Sequence, residues 1–157
     1  MTTTTLTHTV HRFVIRPLRA ADAARLRAQG GRLAVADEPG AYPCRACLRD
    51  ADVGEELLLV SHDPFAGPSP YRCASPIFVH ATACTGTDHV DAVPDQLARR
   101  LLSVRAFDAD EMMIDATVID GTDLADVLGR WFADPAIDRV HVHNATRGCW
   151  AATVERA

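Results

Sequence analysis

The chain has 157 residues, of which 48% are apolar and 24% charged, and its net charge is −5. This length fits one domain that buries roughly 70% of the surface of its unfolded chain. The acidic balance and the dispersed arginines argue against a nucleic-acid partner, because phosphate neutralisation needs a clustered basic surface. All 16 basic residues are arginine, which excludes Schiff-base and phosphate-loop lysine chemistry.

The N-terminus, the lack of a long apolar stretch and the cysteines together indicate the compartment of the protein. The N-terminus lacks the basic start and apolar run of a secretory signal, and no stretch approaches the ~20 apolar residues that cross a membrane. Five cysteines are an odd number and cannot all pair within one chain. We therefore expect a cytoplasmic protein with reduced thiols and no membrane partner, in which paired cysteines indicate metal binding or chemistry.

The first half of the chain predicts a tail, a helix and three strands. Residues 1–9 are Thr-rich and predict a disordered tail, and residues 10–16 predict a strand that ends at a proline. Residues 20–29 are rich in Ala and Arg and predict a short surface helix, followed by a short strand at 32–36. Four consecutive apolar residues within 56–61 predict a central strand buried on both faces.

The second half predicts further strands around one clear helix, whose apolar residues repeat at helical spacing. We interpret the ambiguous segment 97–107 as a strand over its second half. The predicted segments are a proline-rich loop (63–76), strands (77–80 and 112–120), the helix (124–133) and a closing hairpin (139–144 with 149–156). Together these elements predict one α+β domain over residues 10–157, with a mixed, mostly antiparallel sheet of about six strands and one or two packed helices.

A Cys-x-x-Cys pair, Cys44 and Cys47, precedes the apolar strand and is the strongest chemical motif. Such a turn can present both sulfurs to one tetrahedral ion, and His80 and Cys84 can complete its ligands. This spacing is compatible with a zinc site that would staple two segments of the sheet. Small buried cysteines with a hydrogen-bonded histidine are the alternative interpretation.

The same thiols allow a reactive site. Arg45 beside Cys44 would favour the thiolate, which permits either redox chemistry of the cysteine pair or nucleophilic catalysis by Cys44. A nucleophile needs a base, for which His80, His141 and His143 are candidates. We take Cys44, His141 and His143 as the candidate catalytic residues.

The closing hairpin carries a second group of functional candidates. In a strand, His141 and His143 share one face while the valines between them share the other. Paired imidazoles on one face occur in metal sites and as general bases, although a solvated strand face is the alternative. Arg45, Asn144 and Arg147 are the candidate ligand-binding residues. An arginine in a turn, such as Arg147, can bind an anion, although a solvated turn arginine is the alternative.

Five phrases in this order resemble one bacterial family, the domain of unknown function numbered 1203. The resemblance covers residues 10–156 and implies no reaction, cofactor or partner, because none is assigned to that family. The phrases lie at residues 42–50, 54–59, 75–80, 105–110 and 141–149.

Three functions are compatible with these features. The first is a small-molecule ligand bound in a pocket between the Cys44–Cys47 segment and the hairpin of His141 and His143. The second is an enzyme that uses a reactive Cys44 with a histidine partner. The third is an interaction module stapled by zinc at Cys44, Cys47, His80 and Cys84, without catalysis.

Overall fold

Residues 12–157, which the computed structural model describes, contain nine strands and three α-helices. The tail predicted at residues 1–9 lies outside the described residues. The strands are β1 (Phe13–Arg16), β2 (Arg32–Val35), β3 (Glu56–His62), β4 (Ser75–His80), β5 (His89–Val90), β6 (Leu101–Phe107), β7 (Met113–Asp120), β8 (Arg139–Asn144) and β9 (Trp150–Arg156). The helices are α1 (Ala20–Gln29), α2 (Asp95–Ala98) and α3 (Leu124–Trp131), and a 3-10 turn (Gly121–Asp123) leads into α3.

The α+β class with antiparallel pairing is confirmed, but the strands form two sheets instead of one. The larger sheet has the order β5-β1-β9-β8-β6-β7, and the smaller one has the order β2-β3-β4. The apolar strand β3 is central, as its sequence predicts, but it is central to the smaller sheet. Its register pairs Leu57 with His80 and Val60 with Ile77, which fixes the end of β4 beside the start of β3.

One core lies between the larger sheet and the helices α2 and α3. Leu124 and Leu128 lie on one side of α3, as the helical repeat predicts, and pack against β6 and β8. Val140 and Val142 point into this core, so the alternation of β8 places His141 and His143 on the opposite face. The longest helix within residues 12–157, α1, has 10 residues, and none of the described helices is long and apolar enough to cross a bilayer.

The second core lies under the smaller sheet and includes the segment around the first cysteines. Leu57 and Val79 contribute from β3 and β4, and Leu26 contributes from α1. Cys44 is fully buried in the same cluster, together with Trp150 at the start of β9. The Cys-x-x-Cys segment is therefore packed against a folded sheet and is not an exposed loop.

Candidate metal centre and an adjoining cavity

Cys44 and Cys47 lie in a short turn that backbone contacts hold against β4. Cys44 forms an isolated parallel bridge with Phe78, and its amide donates to the Arg49 carbonyl oxygen at 3.1 Å. Leu48, directly after the second cysteine, has φ = +53°, a left-handed conformation that is unfavourable for a residue with a branched side chain. Because Leu48 is buried, its packing can stabilise this tight turn.

His80 and Cys84 bring two further ligand atoms to this turn. His80 ends β4, and the bend that follows returns Cys84 to the same place. The Cys44 and Cys84 sulfurs are 3.7 Å apart, and the Cys47 sulfur is 3.6 Å from His80 Nδ1. The ligand atoms of all four residues lie within 4.8 Å of one another. We call these four residues the thiol–histidine cluster.

These distances match the edges of a tetrahedral site. With metal–sulfur bonds of about 2.3 Å and metal–nitrogen bonds of about 2.0 Å, a tetrahedron has a sulfur–sulfur edge of about 3.8 Å and a sulfur–nitrogen edge of about 3.5 Å. A disulfide would need a sulfur separation of about 2.0 Å, which the 3.7 Å between Cys44 and Cys84 excludes. The cluster can therefore hold a metal ion without rearrangement of these two pairs.

Glu55 supports the imidazole of the cluster from outside. Its Oε2 atom lies 3.1 Å from His80 Nε2, so the carboxylate can accept a hydrogen bond from the protonated Nε2. This tautomer leaves Nδ1 unprotonated and free to bind a metal ion. The Asp52 amide donates to the same carboxylate at 2.7 Å, and Arg49 Nη2 donates at 3.3 Å. The Asp52 amide, followed by Arg49 and His80, lowers the pKa of Glu55 to about 2, so that Glu55 is ionised at neutral pH.

Arg27 of α1 supplies a positive charge beside the sulfurs. Its Nε atom donates to the His80 carbonyl oxygen at 2.8 Å, and Nη2 lies 3.3 Å from the Cys84 sulfur. Three thiolates around a divalent cation carry one net negative charge, which a neighbouring guanidinium offsets. The backbone amide of His80 also donates to the Cys44 sulfur, at 3.3 Å.

The thiols of the cluster do not ionise equally. Hydrogen bonding from the Cys47 thiol lowers the pKa of Cys44 to about 4, and the same bond raises the pKa of Cys47. Burial, followed by the charge of Cys44, raises the pKa of Cys84. The cluster alone therefore favours one thiolate at neutral pH, and a divalent cation would supply the charge that ionises the other two.

Three residues that shape the cluster were not predicted from the sequence. Glu55 and Arg27 lie outside the Cys-x-x-Cys motif, and no spacing rule connects a charged residue to a ligand that it only supports. Gly86 packs so closely on the Cys44–Cys47 turn that a Cβ atom there would overlap the Ala46 carbonyl oxygen. A glycine two residues after a cysteine was the available signal, because glycine allows close backbone approach.

His141 and His143 lie on the face of β8 opposite the first core, and both are buried, so neither is solvated. His141 is 1% exposed, and its ring packs at 4.9 Å from the Phe65 ring and 4.8 Å from the Phe107 ring. Neither of its nitrogens has a hydrogen-bond partner among the described residues. His143 Nδ1 lies 2.9 Å from the Gly148 carbonyl oxygen within the hairpin.

The predicted ligand-binding residues lie together around a separate cavity of about 570 Å³. Arg45 lines it from the Cys44–Cys47 segment, and Asn144 and Arg147 line it from the hairpin turn. The tilted rings of Tyr42 and Phe78, 5.3 Å apart, form part of its wall. The cavity adjoins both predicted segments, but neither the sulfurs of the cluster nor the two histidines of β8 line it.

The hydrogen-bond contacts of the Cys44 sulfur are within the thiol–histidine cluster, with Cys84 and with the His80 amide. No hydrogen bond within residues 12–157 joins Cys44 to His141 or His143, and His80 is the histidine beside the sulfurs. The structure thus brings together the four predicted metal ligands and, elsewhere, the three predicted ligand-binding residues. It leaves His141 beneath Phe65 and His143 beside the Gly148 carbonyl oxygen, and neither histidine belongs to the thiol–histidine cluster or lines the cavity.

The fold and the cluster define a two-sheet α+β domain with four convergent residues that can bind a metal ion. A family model matches residues 41–156, most of the chain, and its description is "Protein of unknown function (DUF1203)". The chain belongs to the DUF1203 family, which confirms the resemblance drawn from the five phrases. The match includes all four residues of the thiol–histidine cluster. No curated protein and no solved structure matches the chain.

Proposed function

We propose that this domain binds one structural Zn²⁺ at Cys44, Cys47, His80 and Cys84. The observation that carries the proposal is the pair of separations, 3.7 Å between two sulfurs and 3.6 Å between a sulfur and Nδ1, which fit tetrahedral edges. Three cysteines and one histidine are a common ligand set of structural zinc, and the softness of thiolate favours zinc over magnesium or calcium.

The number of protein ligands supports a structural role over a catalytic one. A catalytic zinc usually keeps one position open for water or substrate, whereas four protein ligands close the tetrahedron. Zinc at this site would tie the turn before β3 to the end of β4, with Cys84 on the following bend. A coordinated and fully buried Cys44 sulfur would not be available as a nucleophile, so zinc binding argues against catalysis by this thiol.

Metal analysis of the protein tests this proposal. Protein purified without an affinity tag should contain about one equivalent of zinc. The Cys47→Ser variant should lose most of it, because a hydroxyl is a much poorer zinc ligand than a thiolate. Replacement of zinc by Co²⁺ should give the visible absorption of a tetrahedral thiolate site.

The matched control is Cys73→Ser, because Cys73 is exposed and lies outside the thiol–histidine cluster. This variant should keep the zinc of the wild type. Less than about a tenth of an equivalent of zinc in wild-type protein would refute a tight structural site. Equal zinc in Cys47→Ser and Cys73→Ser would place the metal on other residues.

A second candidate function is the binding of a small molecule in the cavity beside Arg45. Its volume of about 570 Å³ is in the ordinary range of ligand sites. It combines apolar walls from Tyr42 and Phe78 with a few polar side chains, as ligand sites do. The two candidates are compatible, because the segment that carries the first two cysteines also forms part of the cavity.

We place the domain in a reducing compartment such as the cytoplasm. All five cysteines are free, and three of them belong to the thiol–histidine cluster. A zinc site of this kind needs thiolates, which an oxidising compartment would convert to disulfides.

A further inference from the structure

The cavity beside the metal cluster contains a buried guanidinium, that of Arg45, with which no carboxylate of the described residues pairs. Arg45 is only 3% exposed. Nε donates to the Trp150 carbonyl oxygen at 2.8 Å, and Nη1 donates to the Pro43 carbonyl oxygen at 2.7 Å. These two bonds hold the guanidinium in place, but carbonyl oxygens do not neutralise it.

No carboxylate within residues 12–157 forms an ion pair with Arg45, and Nη2 has no hydrogen-bond partner there. The guanidinium is positively charged at neutral pH, as arginine side chains in proteins are. Buried charges in proteins are normally paired, because desolvation without a partner is costly. The unpaired guanidinium therefore indicates that an anion belongs in the adjoining space.

Two residues of the hairpin turn can complete an anion site around Arg45. Arg147 lines the same cavity, is exposed, and forms no ion pair with any described carboxylate. The Asn144 side-chain oxygen is buried without a partner, and a half-turn of the amide would place its amino group there as a donor. Arg100 also lines the cavity, but Asp50 already neutralises it at 2.9 Å.

Two carboxylates on the cavity wall would repel an anion, but their repulsion is weaker than the attraction of Arg45. Asp37 and Glu38 are exposed, and Asp37 accepts a hydrogen bond from the Tyr42 hydroxyl at 2.9 Å. Water and salt screen exposed charges, whereas a buried guanidinium acts through a medium of lower dielectric constant. The buried charge therefore sets the sign of the strongest interaction available to a ligand.

We propose that the cavity binds a small organic anion, with one carboxylate or phosphate group on Arg45 and Arg147 and an apolar body against Tyr42 and Phe78. The proposal rests on the second candidate function, ligand binding in this cavity, and names its ligand class. Arginine suits both anions, since its planar fork can donate two parallel hydrogen bonds to either of them.

Titration calorimetry with three probes of similar size tests the proposal: phenyl phosphate, benzoate and the neutral benzamide. We expect one or both anions to bind, and benzamide to bind at least about tenfold more weakly than the better anion. The stronger of the two anions distinguishes a phosphate site from a carboxylate site. Heteronuclear NMR shifts should then map the bound probe to residues 42–45 and 144–149.

Arg147→Gln should weaken the better anion about tenfold or more, because it removes one of the two cations. The matched control is Arg130→Gln, an exposed arginine of α3 outside the cavity, which should leave affinity unchanged. Asp37→Asn should leave anion binding unchanged or strengthen it, since it removes a repulsive charge. Zinc content, measured on every variant, reports whether the fold around the cluster is intact.

Three outcomes would overturn the anion proposal in different ways. Benzamide that binds as tightly as the anions, with shifts at the same residues, would leave a ligand cavity but refute its charge preference. Equal affinities for Arg147→Gln and Arg130→Gln would refute the assigned anion contact. No binding of any probe by protein with full zinc would refute the anion site and the ligand cavity together, while the zinc proposal would stand.

Discussion

Glu55 contributes no ligand atom to the thiol–histidine cluster, yet it determines how His80 presents its ring. A carboxylate at 3.1 Å from Nε2 fixes the tautomer with Nδ1 unprotonated and keeps the ring pointing at the sulfurs. We predict that Glu55→Gln weakens zinc about tenfold to a hundredfold, the usual effect of losing such a partner. Competition with a chromophoric chelator of known affinity measures the change.

The residue after Glu55, Glu56, provides a matched control for the Glu55→Gln variant. Glu56 is also a glutamate near the start of β3, but it is exposed and has no described hydrogen bond to the cluster. Glu56→Gln removes the same charge from nearly the same place, so it tests whether general electrostatics explain the effect. Equal zinc affinities for the two variants would show that Glu55 does not act through His80.

At the scale of elements, the cluster depends on how closely the bend after β4 approaches the Cys44–Cys47 turn. Gly86 is the residue of this bend that faces the Ala46 carbonyl, and a Cβ atom there has no space. We predict that Gly86→Ala moves the bend away, lowers the free energy of unfolding by roughly 1–3 kcal/mol and weakens zinc. Chemical denaturation and chelator competition on the same samples measure both effects.

Gly129 of α3 is the matched glycine for this test. A Cβ atom at Gly129 meets nothing within 4 Å, and alanine is a better helix former than glycine. Gly129→Ala should therefore keep zinc and raise stability by about 0.5–1 kcal/mol. If Gly86→Ala behaves in the same way, the tight approach of bend and turn does not matter for the metal.

The structure also shows which elements the sequence could predict. Helix α1 and strand β8 have the predicted bounds, because alanine-rich composition and alternating valines act locally. The four cluster residues could be predicted too, because ligand type and spacing carry the signal. In contrast, the division into two sheets depends on β3 pairing with β2 and β4 and not with a strand of the larger sheet. Such pairings depend on contacts between distant residues, which periodicity does not report.

At the scale of the whole molecule, the histidines of β8 make the stability of the fold depend on pH. The sequence allowed a solvated face there, but Phe65, in a loop far away in the chain, covers His141. Burial lowers the pKa of His141 to about 3 and of His143 to about 4, and the guanidinium of Arg105 adds to both shifts. In the unfolded chain both should titrate near pH 6.5.

The sign of the resulting pH dependence follows from these values. Between about pH 6.5 and pH 3 the unfolded state binds more protons than the folded state, so stability falls as the pH falls through this window. By pH 4.5 the loss from His141 alone should be roughly 2–3 kcal/mol. His141→Leu keeps an apolar side chain between Phe65 and Phe107 and cannot titrate, so it should lose less stability than the wild type over this range.

Urea denaturation at pH 7.5 and pH 4.5 measures this difference. Acid also removes zinc, but that contribution is common to both proteins and cancels when their losses are compared. His89→Gln is the control, since His89 lies at the edge of the larger sheet and is only half-buried. This variant controls for the loss of a histidine as such, so a reduced pH dependence found only in His141→Leu is assigned to His141. If His141→Leu matches the wild type, then His141 protonates without opening its aromatic surroundings, and the acid sensitivity of the fold comes from other groups.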